Sequence, residues 1–253
     1  MSLFSYFFAN REKTKSLENR LSRRYQPSPD YGLQINVLVS GEMHETTVLN
    51  MSGFGLGLLL PPEVFVVADE EIRVFVILGE YGFETEARVA HHRTRTEGTV
   101  CGIELKFKDV LAHQTYLQFL RPVAIGQSMR LLPTQTGPAT SIGIRREIYQ
   151  GESDAVLTLY WQKKPETKLL KFEFLAHSFL LQADCETGIL SLKSQTMATG
   201  KNGQSESRIT ELTGVQQIEG HRLFAEVTLN LSNHIPTEIR ETLTHLIAKP
   251  GGN

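Results

Sequence analysis

Cysteine is almost missing from this chain of 253 residues, where Cys101 and Cys185 are the only two. Their spacing gives neither a disulfide framework nor a thiolate metal site, and a reducing, cytoplasmic setting is expected. Long apolar runs are missing too. The longest, over 56–68, is broken by Pro61, Pro62 and Glu63, well short of the ~18–20 residues that cross a bilayer. The first ten residues lack the cationic start and small-residue cleavage site of a secretory leader. Excess charge is absent: 26 Lys and Arg against 28 Asp and Glu leave -2, so DNA, which demands a basic face, is not an expected partner. No His-Glu-x-x-His, Gly-x-Ser-x-Gly or P-loop occurs, so no enzyme, metal or cofactor is expected and no catalytic residue is assigned. The adjacent His91 and His92 alternate across a strand and cannot both reach one metal.

What is present is an ordinary globular composition, 40% hydrophobic and 21% charged, which excludes wholesale disorder. At this length two domains are comfortable. Residues 1–24 carry Leu17 and Leu21 four apart and no Gly or Pro, the pattern of a short helix or arm. Six cations (Arg11, Lys13, Lys15, Arg20, Arg23, Arg24) face two acids there. This basic segment, led by Phe4, Tyr6, Phe7 and Phe8, suits docking on its own domain or on a twin better than contact with a membrane surface. Whether two copies pair is left open.

From residue 34 the period becomes two, with Ile35, Val37 and Val39 apolar up to a Ser40-Gly41 turn. Strands are expected near 34–39, 46–49, 57–60, 72–78, 83–91 and 100–107, six short segments that suit a small antiparallel barrel. A helix over 110–120, with Leu111, Tyr116, Leu117 and Leu120 near one face, is expected to stop at Pro122. These residues set a first domain at 25–123 and a linker at 124–141. The second domain, 142–253, is expected to be β-rich, with strands near 156–161, 168–176, 178–183, 188–192, 209–212 and 223–231. A polar loop is expected at 197–207, and a closing helix at 237–248 carries Ile239, Leu243, Leu246 and Ile247.

Two stretches carry chemistry. Arg20-Leu21-Ser22-Arg23-Arg24 places arginines four apart before the first strand, and Asn50-Met51-Ser52-Gly53-Phe54-Gly55 is a glycine-rich chain reversal. A guanidinium grips a phosphodiester with two parallel bonds and stacks on a purine. Asn and Ser read a base edge, and Gly admits a ligand close to the backbone. Together they describe a pocket for a purine nucleotide with ester-linked phosphates.

Arg20-x-x-x-Arg24 followed by Asn50-x-Ser52-x-x-Gly55 resembles the two-part signature of PilZ domains, bacterial receptors for the second messenger cyclic di-GMP. The similarity runs over about 17–122 and includes the Val100-Cys101-Gly102-Ile103-Glu104-Leu105 strand. It implies a six-stranded antiparallel β-barrel with flanking helices in a mainly β protein. It further implies that Arg20 and Arg24, with Arg23 beside them, hold phosphates and stack on guanine. Asn50 and Ser52 then bond a guanine edge, and Gly55 permits the turn. The implied role is a cyclic di-GMP receptor that changes a protein-interaction surface for an unidentified downstream protein. The alternative is a PilZ-type adaptor working through protein contacts without ligand. The second half, where Ala183 and Cys185 stand at the places of Asn50 and Ser52, is either a degenerate second barrel lacking the ligand groups or an unrelated α+β domain.

Overall fold

The computed structural model describes residues 23–133, 143–163, 167–199 and 205–248. The chain divides into two compact units, Met1–Arg121 and Pro122–Asn253. In the first, β1 (Leu33–Val39), β2 (Glu42–Ser52), β3 (Gly55–Leu60), β4 (Glu71–Leu78), β5 (Tyr81–Arg95) and β6 (Gly98–Lys106) close an antiparallel barrel in the order β1-β2-β3-β6-β5-β4. The period-two pattern explains it. Ile35, Val37, Val39, Ile72, Val74, Val76 and Leu78 point inward and are buried, and Arg73 between them is exposed. Each such aliphatic side chain contributes roughly 1.5–3 kcal/mol when fully buried. Ser40 and Gly41 close the first hairpin with φ of 52° and 86°, the pair of positive values that a two-residue loop matched to strand twist requires.

Helix α1 (Val110–Ser128) starts where the Asp109 carboxylate accepts the Ala112 amide at 2.8 Å. Its buried side chains in the first unit are Tyr116, Phe119 and Leu120, whereas Leu111, expected on that stripe, is exposed. Pro122 does not stop the helix but lies inside it. A proline deletes one intrahelical bond, yet apolar positions continue in helical phase beyond it, and Val123, Ile125 and Met129 are fully buried. The expected linker therefore begins as helix up to Ser128 and strand β7 (Arg130–Leu131). Residues 134–141 of it lie outside the described residues, as does the expected N-terminal helix up to residue 22.

The second unit is one seven-stranded sheet in the order β13-β12-β11-β10-β9-β8-β7. To β7 it adds β8 (Ile144–Gln150), β9 (Val156–Gln162), β10 (Lys168–Ala176), β11 (Phe179–Asp184), β12 (Leu190–Thr199) and β13 (Ser205–Thr210). The strands follow one another as an antiparallel meander, and this decides for the α+β alternative over a second barrel. Helices α2 (Gly214–Leu229) and α3 (Thr237–Ala248) complete the unit. Its core joins Leu157, Leu159, Phe172 and Leu181 of the sheet to Val227, Ile239 and Leu243 of the helices, with the Phe174 and Phe224 rings 5.0 Å apart.

Two sequence expectations fail here. Residues 223–231, expected as a strand, lie in α2 and the turn after it. Phe224 and Val227 are buried three apart on its inner side, and Gln216 takes the Thr213 amide at 3.1 Å as a cap. Phe-Ala-Glu-Val satisfies both periods over four residues, and only the cap upstream separates them. Of the loop expected at 197–207, both flanks are strand, and residues 200–204 lie outside the described residues. Met197 pairs with Ser207 and Thr199 with Ser205, because a hairpin needs alternation and backbone bonds rather than apolar residues.

Candidate functional site

The site is assembled at one end of β2. Tyr25, just ahead of the barrel, forms a two-bond antiparallel bridge with Met51, with N–H to carbonyl distances of 2.9 and 2.8 Å. With Tyr25 and Met51 both buried, the preceding residue is held against the strand, and Arg24 Nη1 donates to Asn50 Oδ1 at 3.4 Å across 26 residues. Arg23 turns elsewhere, its guanidinium 5.5 Å from the centre of the Tyr25 ring. Both arginines are exposed. Arg20 lies outside the described residues.

Asn50 takes its position from a bulge. The β2–β3 register shifts between Val48 and Asn50, after which Asn50 stands opposite Gly57. A Cβ on Gly57 would lie 2.7 Å from Asn50 Nδ2 and 2.9 Å from Oδ1, so the missing side chain leaves room for the amide to lie across β3. The reversal after Asn50 is tied from beneath at every carbonyl. Tyr116 Oη donates to the Ser52 carbonyl at 2.7 Å and also lies 3.2 Å from that of Gly55. His113 Nε2 bonds the Gly53 carbonyl at 2.9 Å, and the Leu105 amide donates to that of Phe54 at 2.8 Å. The Ser52 hydroxyl closes the turn on Gly55 O at 3.3 Å. Gly55 is required because a Cβ there would overlap the Ile103 carbonyl oxygen of the neighbouring strand.

The His113 imidazole is stacked on Phe107 at 4.5 Å and tilted against Phe54 at 5.0 Å, so the helix start, the last strand and the turn form one packed unit. Burial pushes the Tyr116 hydroxyl far above its ordinary pKa despite its bond to Ser52, and it stays a neutral donor. The turn thus presents Asn50 and Ser52 on a fixed support, while the cation Arg24 comes from the segment before the barrel.

A second bulge, between Val89 and His91 of β5, has the same consequence as the first. His91 stands opposite Gly102 of β6, and its ring occupies the space of the missing side chain, with Nε2 2.7 Å from where a Cβ would be. Since Gly57 pairs with Gly102, the four strands carry a row Asn50–Gly57–Gly102–His91. In the next row Arg88 is held by Glu104 at 2.8 Å and Asp69 at 3.0 Å, so its charge is already matched.

Of the expected site residues, Arg24, Asn50, Ser52 and Gly55 come together and Arg23 is diverted to Tyr25. Gly57, Gly102 and His91, which share a row with Asn50, were not among them. Their glycine signals are visible in the sequence, but which residue faces which depends on two bulges that leave no local mark. In the second unit the turn after Ala183 is self-contained: the Asp184 carboxylate accepts the Glu186 and Thr187 amides, each at 2.9 Å. Among the described residues no group of three or more His, Cys, Asp or Glu could hold a metal, and no helix is long and apolar enough to cross a membrane.

Residues 18–121 match the family model of the PilZ domain, which bears out the resemblance read from the two motifs. No curated protein matches the chain. A solved structure that does match is the crystal structure of the Borreliella burgdorferi PlzA protein in complex with c-di-GMP. It is 7% identical, with 85% of this chain and 99% of that chain covered and a TM-score of 0.32.

Proposed function

We propose, from the PilZ domain carried by residues 18–121, that the chain is a receptor for cyclic di-GMP which alters a protein-interaction surface when the ligand binds. The observation that carries this is the contact of Arg24 with Asn50 at 3.4 Å beside the Ser52–Gly55 turn. It joins the two halves of the signature in one place. Arg24, with Arg20 preceding it in the sequence, supplies charge-assisted bonds to the phosphodiesters and a flat face for guanine. Asn50 offers a donor and an acceptor to a guanine edge, and Ser52 offers a hydroxyl. The role is binding, and no bond is made or broken.

A ligand bridging Arg20 and Arg24 to the turn ties the residues preceding Arg24 to the place that Arg24 already meets, and the surface so formed meets a downstream protein. Calorimetric titration of the full chain with cyclic di-GMP tests the first step. Binding is expected, and Arg24→Ala should raise Kd at least tenfold while leaving stability within about 0.5 kcal/mol, as for an exposed substitution. Absence of heat at tens of micromolar ligand would leave the ligand-independent adaptor instead. Affinity capture with and without cyclic di-GMP tests the second step, since a partner retained equally in both would contradict a ligand-altered surface.

A further inference from the structure

A two-residue hairpin loop follows the twist of its strands when it takes a primed turn, with positive φ at one or both central residues. Ser40-Gly41 does so at both, and Gly79-Glu80, which joins Leu78 to its partner Tyr81, does so at Gly79 with φ of 58°. Thr96-Glu97 has no glycine and takes no positive φ. Gly53-Phe54, between the paired Ser52 and Gly55, offers glycine at the same first position as Gly79, yet neither residue takes a positive φ. The local preference of Gly53 is overridden by bonds from beneath. Its φ and ψ set how the peptides on its two sides are turned relative to each other, and each has its carbonyl held. The Ser52 carbonyl accepts from Tyr116 Oη at 2.7 Å, and the Gly53 carbonyl meets His113 Nε2 at 2.9 Å. A carbonyl only accepts, so Nε2 carries the proton. His113 and Tyr116 stand three apart on one side of α1 and together clamp Gly53 in its non-primed form.

We propose that His113 is a positioning residue for the nucleotide turn: its bond to the Gly53 carbonyl keeps the loop out of the primed conformation and so presets the site for cyclic di-GMP. The assignment rests on the receptor reading above. Ser52 directly precedes Gly53, and its hydroxyl closes on Gly55 O at 3.3 Å, so a change of turn type re-aims a group that the ligand uses. His113 itself touches no ligand. Its ring lies 4.5 Å from Phe107 and 5.0 Å from Phe54, so packing and donor are two separate contributions of one side chain. The positioning role belongs to the donor. Alanine at position 53, one of the two open positions of Asn50-x-Ser52-x-x-Gly55, disfavours positive φ by backbone sterics and can replace the clamp from within the loop.

Calorimetric titration of the full chain with cyclic di-GMP, for wild type, His113→Phe, His113→Gln and the double variant Gly53→Ala/His113→Phe, tests this, with thermal denaturation of each. His113→Phe keeps the ring and loses the donor, and is expected to raise Kd about fivefold. His113→Gln keeps an N–H donor and loses the ring; it is expected to bind within about threefold of wild type while melting below His113→Phe. Binding and stability thus fall in opposite orders, which a purely structural role does not produce. The double variant is expected to return to within about threefold of wild type, because alanine penalises the primed turn. If wild type binds and His113→Phe binds equally well, the inference is overturned and the receptor reading stands. Affinities that follow the melting order, or a double variant as weak as His113→Phe, would also overturn it. If wild type itself does not bind, both fall.

Discussion

Two neighbouring glycines on β3 should separate fold from function. At Gly57 an added Cβ meets the Asn50 amide, with Nδ2 at 2.7 Å, Oδ1 at 2.9 Å and Cγ at 3.0 Å. These atoms end a short rotatable side chain, so the expected response is a swing of Asn50 away from β3 and loss of its contact with Arg24. Gly→Ala at a backbone position that alanine can adopt is worth about 0.4–1 kcal/mol through the unfolded chain. Stability should therefore stay within about 1 kcal/mol of wild type. Binding should weaken by the hydrogen bonds that Asn50 makes to ligand, about 1–2 kcal/mol, or roughly fivefold to thirtyfold in Kd. At Gly55 the added Cβ meets the Ile103 carbonyl, which is backbone and cannot swing away. The β3–β6 ladder must part, and overpacking of this kind costs about 1–3 kcal/mol, a fall of several degrees or more in melting temperature for a unit of this size. Thermal denaturation and calorimetric titration of Gly57→Ala and Gly55→Ala read both quantities. A Gly57→Ala protein that binds like wild type, or melts as low as Gly55→Ala, refutes this placement of Asn50.

The turn's support is open to a similar test: Tyr116→Phe removes the donor to the Ser52 carbonyl and should cost about 1–2 kcal/mol. An unchanged denaturation midpoint would show that water replaces the hydroxyl. A third expectation concerns alkaline pH. Burial pushes the Cys101 and Cys185 thiols up to about 11, and Tyr160, which donates to Glu173 at 2.8 Å, up to about 12, chiefly by burial. These acids hold their protons more tightly folded than unfolded, so the stability they contribute is whole below about pH 8.5. It is lost as pH rises through the folded values. Denaturant melts should shift down between pH 9 and 11, and a flat profile would contradict the burial.

Much of the barrel was legible because its signals are local. Alternation at Ile35, Val37 and Val39 marks an inward face whatever the partner strand, and Ser40-Gly41 marks a two-residue loop by backbone sterics alone. The second unit was less legible where four residues fit two periods at once, as at 224–227, or where a strand is polar, as in β13. Pro122 misled for a related reason. Its local cost is real, but buried side chains on both sides of it outweigh one missing bond.

The sequence by itself determined the chemistry of the candidate site: two arginine positions, an amide, a hydroxyl and the glycine that lets the chain turn back. Residue type carries charge, donors and steric freedom without reference to the fold. Only the tertiary structure decided which of these meet. Tyr25 pairing with Met51 brings Arg24 rather than Arg23 to Asn50. Two bulges bring Asn50 over Gly57 and His91 over Gly102, across four strands that are far apart in the chain. Register is a property of paired strands, and a shift of one residue moves every side chain to the other face. For that reason the row from Asn50 to His91 exists only once β2, β3, β6 and β5 have paired.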